Sequence, residues 1–380
     1  MFDRLSSDLC CGCGACFAIC SQNAIVMKSD DKGFLYPFFL KQNCVNCNLC
    51  LTVCPERTKL ENKQGVKEAY VCQHKNVEVL KHSTSGGLFT ALSDVILKDG
   101  GVVYGALYDS SLHVVHQRAE DKRTRDAMCG SKYVQSDITT VFNCILNDLK
   151  DRVVLFSGTP CQVDAVKKYC ARSKHINNLL TCDIICFGTP SPKVFDLHIK
   201  YLEKKYKKHI VDYQHRPAIR GFQWGCKNDL VLTKEGKELY ETAWVNVYRQ
   251  LFYSGVSKRD CCYKCKYTSL DRVGDITIGD CRQAQKLVPY WNLNNGVSSL
   301  IVSTEKGRNL LKRAESELNI KKVDVSDIDQ PPLHEHCSLS PRRDLFFETL
   351  KSHGYKDAVF CVNKKDFAIR YWIKQKLFDK

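Results

Sequence analysis

Two copies of one cysteine spacing constrain what this chain can fold into: Cys10-x2-Cys13-x2-Cys16-x3-Cys20 and Cys44-x2-Cys47-x2-Cys50-x3-Cys54, the second closed by Pro55. Three thiolates two residues apart wrap three corners of an iron–sulfur cubane, because the backbone between them curls around it. The fourth Cys lies on the next turn and points toward a second cubane. The expectation is one [4Fe–4S] cluster on Cys10, Cys13, Cys16 and Cys54, and another on Cys44, Cys47, Cys50 and Cys20. Structural zinc is the alternative, but its sites use paired C-x2-4-C knuckles rather than two four-cysteine runs. Disulfides fit less well, since no secretory signal is read ahead of Cys10.

Between the runs, Ala24–Met27, a polar turn at Asp30-Asp31-Lys32-Gly33 and Phe34–Pro37 read as a short hairpin. Runs and hairpin together resemble a two-cluster bacterial ferredoxin, an α+β ferredoxin-like domain over residues 1–60. Ser21 stands where a proline usually follows the fourth Cys of the first run.

The chain has 380 residues and 23 cysteines. The length allows two or three domains, and the cysteine usage points to a reducing, cytoplasmic setting with metal or redox roles. No apolar run approaches the ~20 residues of a membrane span. The formal charge of +15 is spread along the chain and is offset by the negative charge that iron–sulfur clusters and a flavin carry. The run Lys204-Lys205-Tyr206-Lys207-Lys208 reads as a solvated helix end, without the clustered basic face or motif of a nucleic-acid binder.

Residues 56–70 are polar and without period, which reads as a linker. Ser83-Thr84-Ser85-Gly86-Gly87 then feeds an amphipathic helix ended by Gly100-Gly101. Strands follow at Val102–Leu107 and His113–His116, and apolar residues at helical spacing run from Ile138 to Leu149. Arg152–Ser157, apolar without break from Val153 to Phe156, has the pattern of a strand buried on both faces. It ends in Gly158-Thr159-Pro160-Cys161-Gln162; a second strand, Leu179–Cys186, ends in Phe187-Gly188-Thr189-Pro190. Strand, glycine turn, helix, repeated, implies a larger α/β domain with a mostly parallel sheet. The carboxyl ends of such strands make the ligand edge, which would bring Cys161 and Cys186 together. Cys262-x2-Cys265 precedes a further strand at Val273–Asp280, and Val297–Ser303 is a last strand before a helix from Glu305. Residues 306–380 read as a helical tail broken at Pro331-Pro332 and Ser340-Pro341. Within it, Phe367, Tyr371, Trp372, Ile373, Leu377 and Phe378 make an apolar face suited to packing on the body or on another subunit, while His334-x-His336-Cys337 reads as a polar loop.

Several segments, in order, carry a wider resemblance: Ser85-Gly86-Gly87, Gly130-Ser131-Lys132-Tyr133-Val134-Gln135-Ser136, Gly158–Gln162, Ile185–Pro192 with Cys186, Cys262-Tyr263-Lys264-Cys265 and Asp275–Asp280. Over residues 72–305 the chain resembles the family of coenzyme F420 hydrogenase/dehydrogenase beta subunits. The resemblance divides this part at about residue 150 and implies an α/β flavin-binding domain holding FAD and a third [4Fe–4S] cluster on Cys161, Cys186, Cys262 and Cys265. It puts the flavin at Ser85, Gly86, Gly87, Lys132, Tyr133, Gln135, Ser136, Gly158, Thr159, Pro160 and Gln162. The ordinary GxGxxG fingerprint is absent, but glycines at helix starts admit a pyrophosphate and Lys132 offers it a cation. Where bacterial members carry an aromatic pair after Gly279-Asp280, this chain has Cys281-Arg282. Cys261 and Cys281 are the reserve ligands should one of the four not serve.

The reading is an iron–sulfur flavoprotein oxidoreductase passing electrons between a small hydride carrier (coenzyme F420-like or NAD(P)H), FAD, the [4Fe–4S] clusters and a redox partner such as ferredoxin. Two alternatives are an electron-transfer subunit without its own substrate, within an oligomer, and a zinc-binding interaction protein.

Overall fold

The computed structural model describes residues 7–57, 67–217, 228–240 and 242–362. The apolar face expected at Phe367–Phe378 lies outside them.

Strands β1 (Ile25–Ser29) and β2 (Leu35–Phe39) pair antiparallel with Ile25 opposite Phe39, the hairpin read between the cysteine runs. Short helices at Ala15–Ile19 and Leu49–Thr52 each begin inside a run, so each fourth cysteine follows a helical turn. Next come β3 (Glu68–His74), β4 (Val102–Tyr108), β5 (Val114–Ala119), β6 (Val154–Gly158) and β7 (Leu179–Ile184). A three-stranded antiparallel sheet follows: β8 (Ile210–His215), β9 (Asp229–Thr233) and β10 (Glu238–Tyr240). Finally β11 (Ile276–Asp280), β12 (Ser298–Val302) and β13 (Leu318–Val323) return to the large sheet.

That sheet has eight strands in the order β13-β3-β12-β11-β7-β6-β4-β5. Its centre, β11-β7-β6-β4, is parallel, as the repeated strand–turn–helix pattern predicts. The flanks are antiparallel, which makes the sheet mixed: β4 and β5 are joined by a short turn that only an antiparallel pair permits, and β12, β3 and β13 alternate in direction. Residues 318–323 therefore build an edge of the core sheet rather than part of a helical tail, and β3 begins at Glu68, inside the stretch read as linker.

Strand β6 is buried on both faces. Val154 and Phe156 point into a core that contains the Phe142–Asp148 and Pro160–Cys170 helices, while Leu155 points into another with Leu88, Leu92, Leu300 and Leu310. The first core also holds Cys11, Ala15, Ile19 and Val53, so the dicluster region packs on the large sheet's helices. The second sheet makes its own core with the helices Pro192–Tyr206, Ala243–Ser254, Arg343–Ser352 and Tyr355–Val362.

Candidate metal centres

Each of the three expected four-cysteine sets lines its own cavity. Cys10, Cys13, Cys16 and Cys54 border one and Cys20, Cys44, Cys47 and Cys50 a second. Cys161, Cys186, Cys262 and Cys265 border a third, at the carboxyl edge of the parallel strands. Among the described residues, no three His, Cys, Asp or Glu side chains close around a point as ligands of a single ion do. In each set the cysteine sulfurs stand around a cavity, and four thiolates at each offer the ligands that an iron–sulfur cube takes. Burial pushes the thiols of Cys54 and Cys265 up to about 11 and that of Cys186 up to about 12, so loading these sets must displace protons.

The local fold explains how distant cysteines meet. Thr159 caps the helix that begins at Pro160, and the Gln162 side chain accepts the Thr159 backbone N–H at 3.0 Å. This fixes Cys161 in the first turn after β6. Cys186 follows β7, the parallel neighbour of β6. Cys262 and Cys265 lie on and just after the 3-10 turn Asp260–Lys264, held over Cys186 by Arg259 N–H donating to the Thr189 carbonyl at 3.0 Å.

Three further cysteines line these cavities. Cys11, buried, lines both the first and third cavities, and the neighbouring Cys13 and Cys161 thiols hold its own well below the ordinary thiol range. Cys261 lines the third cavity, and its hydrogen bond to Cys262 holds that thiol below its ordinary range, at about 6. Cys337 lines it too, with its Sγ 3.3 Å from the Cys262 carbonyl, and His336 stands beside it. The segment read as a polar loop is thus part of the third cavity's wall. Its partners lie about 75 residues away in sequence, and no spacing rule could reveal the contact. Cys281 is the opposite case: it is fully buried in a small core with Val71, Ala284 and Leu287, away from the third cavity, and is no reserve ligand.

The eleven residues expected at a flavin fall into separate groups. Gln162 donates to Ser136 Oγ at 2.9 Å and to the Ser136 carbonyl at 3.1 Å, so Ser136, Gly158, Thr159, Pro160 and Gln162 gather beside Cys161. Gln135 belongs elsewhere: its amide donates to the Cys11 carbonyl at 2.8 Å and accepts from Arg259 at 3.1 Å. Ser85, Gly86 and Gly87 form a packing turn. Ser85 Oγ donates to the Val297 carbonyl at 2.9 Å, and a Cβ on Gly86 would lie 2.4 Å from the Cys72 carbonyl oxygen, so the turn seals β3 against β12. Tyr133 stacks on Phe252 at 4.4 Å between ring centroids and gives its carbonyl to Tyr248.

Lys132 lines a fourth cavity with Thr84, Ser131, Tyr108, His215 and Arg216. Its ammonium donates to the carbonyls of Ala127 and Cys129 at 3.0 and 2.8 Å, and burial lowers it to about 8. Tyr108 Oη, His215 Nε2 and Arg216 Nε are buried in this wall without a hydrogen-bond partner among the described residues. Orphaned buried polar atoms cost free energy unless a ligand or water satisfies them. The donor set fits a polar, anionic cofactor there, and the group beside Cys161 flanks the same edge of the sheet. The second sheet, unread in the sequence, supplies His215 and Arg216.

No helix among the described residues is long and apolar enough to cross a membrane. Residues 151–328 match the family model for the C terminus of the coenzyme F420 hydrogenase/dehydrogenase beta subunit, and residues 9–58 match the 4Fe-4S dicluster domain. Over 333 residues the chain is 20% identical to one of the subunits of the F(420)H(2) dehydrogenase of Methanosarcina mazei, covering 83% of this chain and 85% of that protein. A chain of the F420-reducing [NiFe] hydrogenase complex from Methanosarcina barkeri, in a xenon-derivatised structure, aligns over 79% of this chain and 93% of its own at 16% identity and a TM-score of 0.47. The first family match runs from the loop before β6 through β13 and takes in Cys161, Cys186, Cys262 and Cys265 of the third cavity. Residues 151–328 of this chain are thus similar to the C terminus of the coenzyme F420 hydrogenase/dehydrogenase beta subunit, and residues 9–58 to the 4Fe-4S dicluster domain.

Proposed function

We propose that this chain is an iron–sulfur flavoprotein that moves electrons between a hydride carrier and one-electron partners, through FAD and three [4Fe–4S] clusters. The observation that carries this reading is the set of three cysteine-lined cavities, the first sharing the wall residue Cys11 with the third at the ligand edge of the sheet. Cys161, Cys186, Cys262 and Cys265 would hold the near cluster, Cys10, Cys13, Cys16 and Cys54 the middle one, and Cys20, Cys44, Cys47 and Cys50 the distal one. Cys47 is exposed, so the distal set offers an exit toward a redox protein.

A flavin, when bound, supplies the exchange between hydride and single-electron chemistry that neither protein nor cubane performs. The chain's own residues bind and orient. Lys132 and Arg216 face the fourth cavity as cations suited to phosphate, and Tyr108 and His215 offer unpartnered polar atoms to the same ligand. Ser136 and Gln162 hold the Gly158–Cys161 turn in one geometry between flavin and near cluster. Burial keeps His116, whose Nε2 lies 2.9 Å from the Ser157 carbonyl, down at about 4, so it is neutral there.

The family name and the Methanosarcina mazei relative favour coenzyme F420 as the carrier. Because that relative is one component of a dehydrogenase, a second reading has the chain exchanging electrons only with a partner protein. Anaerobic reduction of the purified protein with F420H2, NADH, NADPH or reduced ferredoxin decides: flavin bleaching by F420H2 supports the first reading. Bleaching by none of the soluble hydride carriers, with reduction by ferredoxin or a co-purifying partner, selects the second.

A further inference from the structure

The most deeply placed charge in the dicluster region belongs to another part of the chain. Arg259 is fully buried, and its guanidinium reaches into the first cysteine run. Nε donates to the Cys10 carbonyl at 2.6 Å, one terminal nitrogen donates to Gln135 Oε1 at 3.1 Å, and the other to the Leu35 carbonyl at 2.8 Å. That last nitrogen also lies 3.9 Å from Cys10 Sγ. The group sits 4.1 Å from the centroid of the Tyr36 ring. Gly12 makes room for it: a Cβ there would stand 2.5 Å from the guanidinium, and the residue's φ of +68° suits glycine.

All the oxygen acceptors are neutral. The nearest carboxylate in sequence, Asp260, is engaged with Arg343 at 2.8 Å and Lys32 at 3.9 Å. A buried guanidinium without a carboxylate is costly unless some other negative charge faces it. The negative charge at hand is the thiolate set of Cys10, Cys13, Cys16 and Cys54, which with its irons is anionic and gains one further charge on reduction. Among the described residues the distal set has no equivalent: its cavity is lined there by uncharged residues, including Gln22, Asn46 and Asn48. At the rim of the middle cavity, Glu56 and Arg57 are of opposite sign.

We infer that Arg259 is a positioning residue that makes the Cys10/Cys13/Cys16/Cys54 cluster easier to reduce than the distal cluster, while its three hydrogen bonds fix the first cysteine run to the flavin domain. The inference rests on the three-cluster reading above. In the step concerned, one electron from the reductant enters the cluster, no bond forms or breaks, and the fixed positive charge stabilises the added negative one. A charge inside a low-dielectric site acts strongly because water does not screen it. Electrons arriving from the near cluster would therefore rest on the middle cluster before leaving through the distal one.

The test is an EPR-monitored potentiometric titration of the anaerobically purified full chain, with Arg259→Lys, Arg259→Met and Gln135→Glu beside the native protein. Arg259→Met removes the charge. Gln135→Glu keeps the arginine but places a carboxylate against it, offsetting its field from the other side. Both should make the middle cluster at least tenfold harder to reduce, a shift of about 59 mV for one electron, with the distal step unmoved and the near one, whose Cys262 also feels Arg259, displaced less. Arg259→Lys, which keeps the charge, should shift that step less. If Arg259→Met fails to retain its clusters, Gln135→Glu and Arg259→Lys still decide. Unchanged midpoints in Gln135→Glu, or equal displacement of all three clusters, would overturn the inference. Native protein without three cubane signals would instead remove the three-cluster reading on which it rests.

Discussion

Cys11 and Cys161 line the same cavity and shift each other's ionisation, although one lies in the first cysteine run and the other opens the helix after β6. Cys11 is in neither of the ligand sets whose cavities it lines. It joins the dicluster domain to the Gly158–Gln162 turn, and the Gln135 amide on its carbonyl holds it there.

Replacing Cys11 by Ala should therefore leave cluster content intact and slow the passage between near and middle clusters. The packing loss for one buried thiol is on the order of 1 kcal/mol. Anaerobic stopped-flow absorbance, after a single reducing pulse, should show the flavin reduced at the native rate and the clusters lagging. Loss of four irons per chain from this variant would mean that Cys11 is itself a ligand.

Ligand choice in the third cavity separates two cysteines that the sequence left side by side as candidates. Cys186 lines the cavity and Cys281 is sealed in another core. Cys186→Ser should abolish one cluster's EPR signal and spare the other two. Cys281→Ser should keep all three signals and lower the melting temperature, because it buries a hydroxyl where a thiol packed. An EPR loss in Cys281→Ser with none in Cys186→Ser would reverse the assignment.

The regular parts of the fold were legible where local pattern decides them. The unbroken apolar run 153–156, the Thr159-Pro160 helix start and the paired cysteine runs each carry their own signal. Strands β3 and β13 were not. β3 ends in Gln73 and His74, buried polar residues whose partners are distant, with Gln73 donating to the Gly296 carbonyl at 2.7 Å. β13 is an edge strand with Lys321 and Lys322 on it, a composition that suits an exposed edge and hides its period. At the site, the ligand spacings were readable, whereas Arg259, Gln135, His336 and Cys337 reach it only through tertiary contacts. Gly12 and Gly14 are where other parts of the chain press on the first run: a Cβ on Gly12 would meet Arg259, and one on Gly14 would meet Thr139.

Flavin retention should depend on pH through Lys132. Burial lowers its ammonium to about 8 in the free protein, so it is charged below that pH and neutral above it. A phosphate-bearing ligand would hold the ammonium charged, so affinity should be constant below about pH 8 and fall as pH rises beyond it. Lys132→Met should bind FAD more weakly at neutral pH and lose the pH dependence. Fluorescence of released FAD across a pH series checks both, and a native profile that stays flat well into the alkaline range would place the pyrophosphate away from Lys132.

The turn Gly158–Gln162 is asked to serve two cofactors, and five residues extended span at most ~18 Å at ~3.6 Å each. Cys161→Ala should then lower FAD content as well as iron. Cys13→Ala should lose a ferredoxin-domain cluster and keep flavin reduction by the hydride donor. Full FAD content and normal cluster reduction in Cys161→Ala would separate the two sites.

The account stands most directly on the metal content of the anaerobically purified chain. Three cubanes on the twelve named cysteines require about twelve iron and twelve sulfide per chain, without stoichiometric zinc. About eight of each would remove the cluster on Cys161, Cys186, Cys262 and Cys265. Four irons, or zinc in their place, would contradict the assignment of the two cysteine runs themselves.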